Sequence, residues 1–430
     1  MRHEKFRFKE ASEIRAKAGS LGVGLPWSEE VSLLLKPAEV GGIPVPNRLA
    51  VHPMEGFDSS DEGVPGDLAF RRYGRYAAGG SGMIWFEACS VVPEGRSNPH
   101  QMMITPATVP TLKKLTDQVR QTAESTFGSA HRPFLVLQLT HSGRYSYDGG
   151  VPTADGGPPR SAVCGQQSDC EIDRILEAYQ EALALAERAG FDAVDAKACH
   201  GYLLHELLAS YENTESRYGG SYENRTRFLR EVFNTPSAII KAMRLGAYDL
   251  IPYPQGFGMK ADGSNEMELT EVKRFISEFA SQVPLWNITA GIPRIAPHVG
   301  RPYDRGVFNA PPPDEHPLEG IARLIRVTGD LQEAFPHLQF TGTGYSWLRH
   351  FFPYVGAGVL KEGLASFIGL GRSSFAYPDA PRDLMATGRI NPKKVCVTCS
   401  RCTEMMRTGG PAGCGVRDGE YIEKRLKIKD

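Results

Sequence analysis

Long apolar runs are missing from this 430-residue chain. The opening MRHEKFRFKE is charged and has no stretch of signal length, and apolar segments elsewhere, such as Phe134 to Leu139, are strand-sized. Nothing in it is therefore expected to span a membrane. A charge excess of either sign is missing too. The 49 Lys and Arg against 50 Asp and Glu, interspersed, leave a net charge of −1 and no footprint for nucleic acid or an anionic membrane surface. There is no disulfide-like framework, because Cys89, Cys164, Cys170 and Cys199 are scattered, and a reducing cytoplasm is the expected setting. No tandem repeat occurs. After the first strand candidate stands Pro53-Met54-Glu55-Gly56 where a dinucleotide-binding doubly wound sheet would need a Gly-rich turn.

What the chain does have is a group of four cysteines near its C-terminus, Cys396, Cys399, Cys402 and Cys414, half of its eight within 19 residues. Three thiolates two residues apart can wrap one face of a metal or cluster, and a fourth closes the site from a distance. An iron–sulfur cluster suits this run better than zinc, whose sites usually arrive as two CxxC pairs; zinc or four unrelated thiols are the alternatives. Such clusters carry single electrons, so redox chemistry is expected.

From residue 48 to residue 388 short β-rich segments alternate with amphipathic helical stretches. Strands are predicted at Arg48–Met54, Gly82–Val92, Phe134–Thr140, Phe191–Ala196, Ile239–Leu245, Pro284–Thr289, Leu338–Thr341 and Phe367–Leu370. Helices are predicted at Asp67–Ala78, Thr108–Ser125, Glu171–Arg188, Ser221–Phe233, Leu269–Ser281, Leu318–Ala334, Tyr345–Glu362 and Pro381–Gly388. Eight strand–helix units predict an α/β fold, a parallel (β/α)8 barrel over residues 40–388. An N-terminal helix (Glu10–Ala18) and loop within residues 1–39 would pack on it, and a small cysteine-rich lobe would follow over 389–430. Two long polar connections, Ser142 to Asp169 and Gly291 to Pro317, both follow strands and so fall on the barrel's C-terminal face, where such folds build active sites.

The strand end Val194-Asp195-Ala196-Lys197-Ala198-Cys199-His200-Gly201-Tyr202 brings Lys197, His200 and Tyr202 to that face. With H-G-Y-L-L-H-E-L-L (His200–Leu208) and R-Y-G-G-S-Y-E-N-R-T-R-F (Arg217–Phe228), it resembles the old yellow enzyme family of FMN-dependent oxidoreductases. Asn47-Arg48, Pro53-Met54, Gln138 to Arg144 and Gly369 to Arg372 extend the resemblance over residues 40–385. With the cysteine run it points to the iron–sulfur-bearing branch of trimethylamine dehydrogenase and 2,4-dienoyl-CoA reductase.

The resemblance implies a flavin held by Pro53 and Met54, with Glu55 and Ala88 near its O4 edge and Gln138 on its pyrimidine edge. Arg244 would lie near N1, and Gly342, Gly344, Gly371 and Arg372 around the phosphate. It implies an ene-reductase fed by NAD(P)H or an electron-carrier protein and acting on an α,β-unsaturated carbonyl or enoate. His200 would hold the substrate carbonyl and Tyr202 would protonate its α-carbon. Two residues depart from the family pattern. Lys197 stands where the first His of a His-x-x-His/Asn pair is expected; it would meet a carboxylate or polarised carbonyl, or else pair with Asp195 or Glu206. Glu55 replaces a Thr or Cys. An amine or alcohol dehydrogenase that passes electrons from FMN through the cluster to a soluble carrier is the second reading, and a non-enzymatic electron-transfer module the third. Barrels of this kind often pair, which leaves a homo-oligomer open.

Overall fold

Eight parallel strands close into a barrel in a computed structural model that describes residues 2–148, 151–152 and 168–427. They are β1 (Leu49–Val51), β2 (Met83–Ser90), β3 (Phe134–Thr140), β4 (Ala193–Ala198), β5 (Ile240–Gly246), β6 (Leu285–Thr289), β7 (Gln339–Gly342) and β8 (Phe367–Leu370). Each pairs with its sequence neighbours, and β8 closes on β1 through Ile368–Leu49 and Leu370–Val51. The crossovers run through α1 (Asp67–Ala78), α2 (Val109–Phe127), α3 (Asp169–Arg188), α4 (Arg227–Asn234), α5 (Thr270–Phe279), α6 (Pro317–Ala334), α7 (Phe352–Lys361) and α8 (Ala380–Thr387). The (β/α)8 expectation holds.

β1 is shorter than predicted, because His52-Pro53-Met54 leaves the sheet and runs along the rim. The predicted Tyr345–Glu362 helix is broken. A 3₁₀ segment, Tyr345–Phe351, precedes α7, and Arg349 at φ 51° turns the chain within that segment. Of the connection from Ser142 to Asp169, residues 149–150 and 153–167, Cys164 among them, lie outside the described residues.

The barrel interior is filled. Met83, Trp85, Phe134, Val136, Ala193, Ala242, Leu285 and Phe367 pack together, and the hairpin Ala38–Val40/Ile43–Val45 inserts Val40 and Val45 into the same cluster. That plug and the packed interior leave the C-terminal rim as the place for a site. The N-terminal helix, Ala11–Ser20, buries Ile14 and Ala18 against Phe351, Phe352 and Val355. No helix among the described residues is long and apolar enough to cross a membrane.

The cysteine-rich lobe is fastened to α1 by charge. Asp418 accepts from Arg71 at 2.9 and 2.8 Å and also pairs with Arg75, the Tyr421 hydroxyl accepts from Arg72 at 3.2 Å, and the Ala412 N–H donates to the Gly56 carbonyl at 2.7 Å. Arg72 is the hub. Its buried guanidinium also pairs with Asp58 at 2.9 Å and with Glu87 at 2.5 Å, and Glu87 accepts from the Gly56 N–H at 2.6 Å. Removing Arg72 strands two buried carboxylates, so Arg72→Met should cost about 3–5 kcal/mol of stability. Urea denaturation followed by circular dichroism checks this, and an unchanged midpoint would show that the network contributes nothing.

Candidate active site

A cavity of about 1030 Å³ opens at the C-terminal rim. Pro53, Met54 and Glu55 enter from the end of β1, Lys197, His200 and Tyr202 from β4, Arg244 from β5, Gly344 from beyond β7, and Gly371 and Arg372 from beyond β8. Ten of the residues predicted for this site therefore share one wall. Ala88, Gln138 and Gly342 are buried and are not on it. Gln138 donates from Nε2 to Asp195 at 2.5 Å, since β3 and β4 set the two side by side, and the Ala88 carbonyl accepts from Gln101.

Lys197 pairs with neither of the two carboxylates expected for it. Asp195 is occupied by the Trp85 indole and by Gln138, and Glu206 by Arg144. The Lys197 ammonium instead lies 3.4 Å from the Glu55 carboxylate and 3.7 Å from the centroid of the Tyr202 ring. The Tyr202 hydroxyl donates to the same Glu55 oxygen at 3.4 Å. Burial opposes the Lys197 charge, but the neighbouring Tyr202 and Glu55 outweigh it and hold its pKa above the ordinary value. Burial, then Glu55, raises that of Tyr202, so its phenol stays protonated. Burial, then Arg244, pushes His200 well below the usual histidine range, which leaves a neutral ring able to donate one hydrogen bond.

Cations crowd this wall. Arg244, Arg294, Arg301, Arg372, Arg407 and Lys197 line it, against the one carboxylate of Glu55. Among the described residues only Lys197 of the six has an ion-pair partner. Arg372 gives Nη2 to the Pro302 carbonyl at 2.7 Å, while its buried Nη1 is unpartnered, as is the buried Nε of Arg244. Burial and the adjacent Arg372 push Arg301 down to about 10. Close approach of main chain is also built in. A side chain at Gly369 would strike the His52 ring at 2.1 Å, and one at Gly371 would press on the Met54 sulfur at 3.1 Å. Sequence reasoning passed over His52, Arg294, Arg301 and Arg407. The two middle arginines sit in the Gly291 to Pro317 connection, where a count of charge on rim loops would have found them.

All four lobe cysteines line a second, small pocket of about 20 Å³, with Arg372, Phe375 and Arg417. Cys402, Arg372 and Phe375 belong to both cavities, so the two are separated by a single layer of side chains. The Thr398 and Arg417 N–H groups donate to the sulfurs of Cys396 and Cys414 at 3.3 Å, as suits thiolate ligands. Among the described residues no three His, Cys, Asp or Glu side chains are grouped so as to hold a single metal ion.

Comparison with known proteins agrees with this geometry. An NADPH dehydrogenase of Bacillus pumilus is 32% identical over 212 residues, 48% of this chain and 60% of that protein. A metal reductase of Desulforamulus reducens is 26% identical over 429 residues, 93% of this chain and 55% of that one. The chain thus spans less than two thirds of either relative. The structure of a 2-naphthoyl-CoA reductase with 2-naphthoyl-CoA superposes with a TM-score of 0.68 at 21% identity, over 92% of this chain and 58% of the other, a likeness of fold. Residues 33–285, which carry the first five strands and the Lys197–Tyr202 rim, match the NADH:flavin oxidoreductase / NADH oxidase family, and the chain belongs to that family.

Proposed function

We propose that the protein holds FMN in the rim cavity and reduces the activated C=C bond of an α,β-unsaturated carbonyl or enoate, with NAD(P)H or an electron-carrier protein as the source of electrons. The observation that carries this reading is a protonated Tyr202 phenol facing the same cavity as the unpaired Arg244 and Arg372. The residues suit the cofactor. Arg372 has a buried N–H free for a phosphate, Gly344 and Gly371 admit it close to the main chain, and Arg244 supplies a fixed charge for an electron-rich ring. Pro53 and Met54 give the ring an apolar wall. Bound FMN would supply hydride acceptance and donation at N5.

The chain does the rest. Tyr202 delivers the proton to the substrate's α-carbon, and the neutral His200 ring donates to the carbonyl oxygen where negative charge builds. Lys197 and Glu55 neutralise each other and hold the phenol from two sides. Gln138 donates from Nε2 to Asp195, which fixes the amide beside the rim.

For the four cysteines we propose one 4Fe–4S cluster. The four line one small pocket, and a C-x2-C-x2-C run with a fourth cysteine at a distance suits a cluster better than the two CxxC pairs usual for zinc. A cluster bordering the rim cavity through Cys402 favours a second reading, an amine or alcohol dehydrogenase that drains electrons to a soluble carrier. A cytoplasmic location suits the free thiols.

The flavin released on denaturation should be FMN, and Arg244→Ala with Arg372→Ala should lose most of it with the circular dichroism unchanged. Anaerobic addition of NADH or NADPH should bleach the bound flavin. Bleaching by amines alone would decide for the dehydrogenase, and FAD, or full flavin content in the double variant, would sink the assignment of the cavity.

A further inference from the structure

The arginines of the cavity outnumber the charges that the proposed cofactor brings. Arg372 and Arg244 are taken up by a phosphate and an electron-rich ring, and Lys197 is neutralised by Glu55 at 3.4 Å. Arg301 is turned to the Thr403 hydroxyl, to which it donates at 3.0 Å, and this leaves Arg294 and Arg407. Arg294 comes from the connection after β6, and its guanidinium lies 4.6 Å from the centroid of the Tyr145 ring. Tyr145 in turn stands 6.1 Å from the Tyr202 ring, centroid to centroid, so one aromatic ring separates Arg294 from the proton donor. Arg407 ends the lobe helix Arg401–Arg407 and lines the same cavity, beside Met406, Thr408 and Phe308. Both arginines are exposed, neither has a carboxylate partner among the described residues, and each lies within electrostatic reach of the other.

Many arginines elsewhere in the molecule are matched by a carboxylate. Arg71, Arg72, Arg75, Arg225, Arg230, Arg305 and Arg323 are all ion-paired. Two like charges held together without a counterion cost free energy that a bound anion removes. The apolar ring of Phe308, 56% exposed, stands at the same mouth. The cavity is at the upper end of the range for a single small-molecule site, which leaves room for a second ligand beyond a flavin.

We infer that Arg294 and Arg407 form an anion subsite at the cavity mouth, taking a phosphate or carboxylate group that a reacting partner carries away from its reacting carbon. The inference rests on the proposed function for the identity of the reaction, and it gives the cysteine-rich lobe a share in substrate recognition. The anion has two possible carriers, the phosphates of the nicotinamide donor or an acidic tail on the unsaturated acceptor.

The test uses the full-length protein, with flavin content measured first. Inorganic pyrophosphate binding is followed by calorimetry on wild type, Arg294→Ala/Arg407→Ala and Arg294→Lys/Arg407→Lys. Stopped-flow half-reactions use NADH and NADPH in one arm. In the other arm the acceptors are an enone bearing a carboxylate on a flexible alkyl tail and its methyl ester. Pyrophosphate affinity should fall about tenfold or more in the alanine pair and recover in the lysine pair. The acid-to-ester ratio of kcat/KM should fall by a similar factor if the acceptor carries the anion. The affinity for the nucleotides should fall instead if the donor does. Unchanged pyrophosphate affinity, or a loss shared equally by acid and ester with no loss for the nucleotides, overturns the subsite. Absence of flavin would defeat the parent reading alone, because the pyrophosphate measurement needs none.

Discussion

Tyr202→Phe slows oxidation of the reduced protein by an enone by about a hundred- to ten-thousand-fold and leaves reduction by the nicotinamide nearly untouched. The proton is needed only when the α-carbon must be quenched, so only that half-reaction should feel its loss. The phenol touches the cavity, and its neighbours fix both its position and its protonation. Burial and Glu55 raise its pKa, so the group is in its donating form throughout the neutral range. The sign follows: the oxidative half-reaction should be flat with pH to beyond the ordinary tyrosine value of about 10 and decline only above it. A loss shared equally by both half-reactions would make Tyr202 a packing residue, since Lys197 and Tyr145 both lean on its ring. Stopped-flow absorbance at the flavin band reads the two steps separately.

Anaerobically purified protein should contain about four irons and four acid-labile sulfides per chain. Cys402→Ser is expected to lose most of both. Cys402 is chosen because it alone of the four also lines the rim cavity, so the variant removes a ligand and alters the layer between the two sites. Flavin content in the same preparation separates these effects. Retained FMN with lost iron is the outcome expected, as Arg372 and Arg244 are untouched. One tightly bound zinc with no labile sulfide would make the lobe a structural clip.

The barrel was legible because its signals are local. Phe134–Thr140 and Phe367–Leu370 were read to the residue, since each is a short apolar run bounded by breakers. The break before α7 was not, because Arg349 carries a positive φ that its residue type does not announce. The site divides in the same way. Residues on one motif, Lys197 to Tyr202, reach the cavity together, whereas Gln138 is turned to Asp195 by a neighbouring strand. The partner of Lys197 is the plainest case. Glu55 lies 142 residues away in sequence and reaches it only once the barrel has closed, so nothing near Lys197 in the chain could have pointed to it. The arginines of the mouth come from a loop and from the lobe, and only the assembled fold counts them together.

The most direct test of the central claim is a single anaerobic turnover. Protein reduced with one equivalent of dithionite per flavin, freed of excess reductant and mixed with 2-cyclohexenone, should regain the oxidised flavin spectrum as about one cyclohexanone per flavin forms. A flavin that stays reduced in the presence of the enone, yet reoxidises with an artificial one-electron acceptor, would contradict the ene-reductase account and leave electron drainage through the cluster as the function.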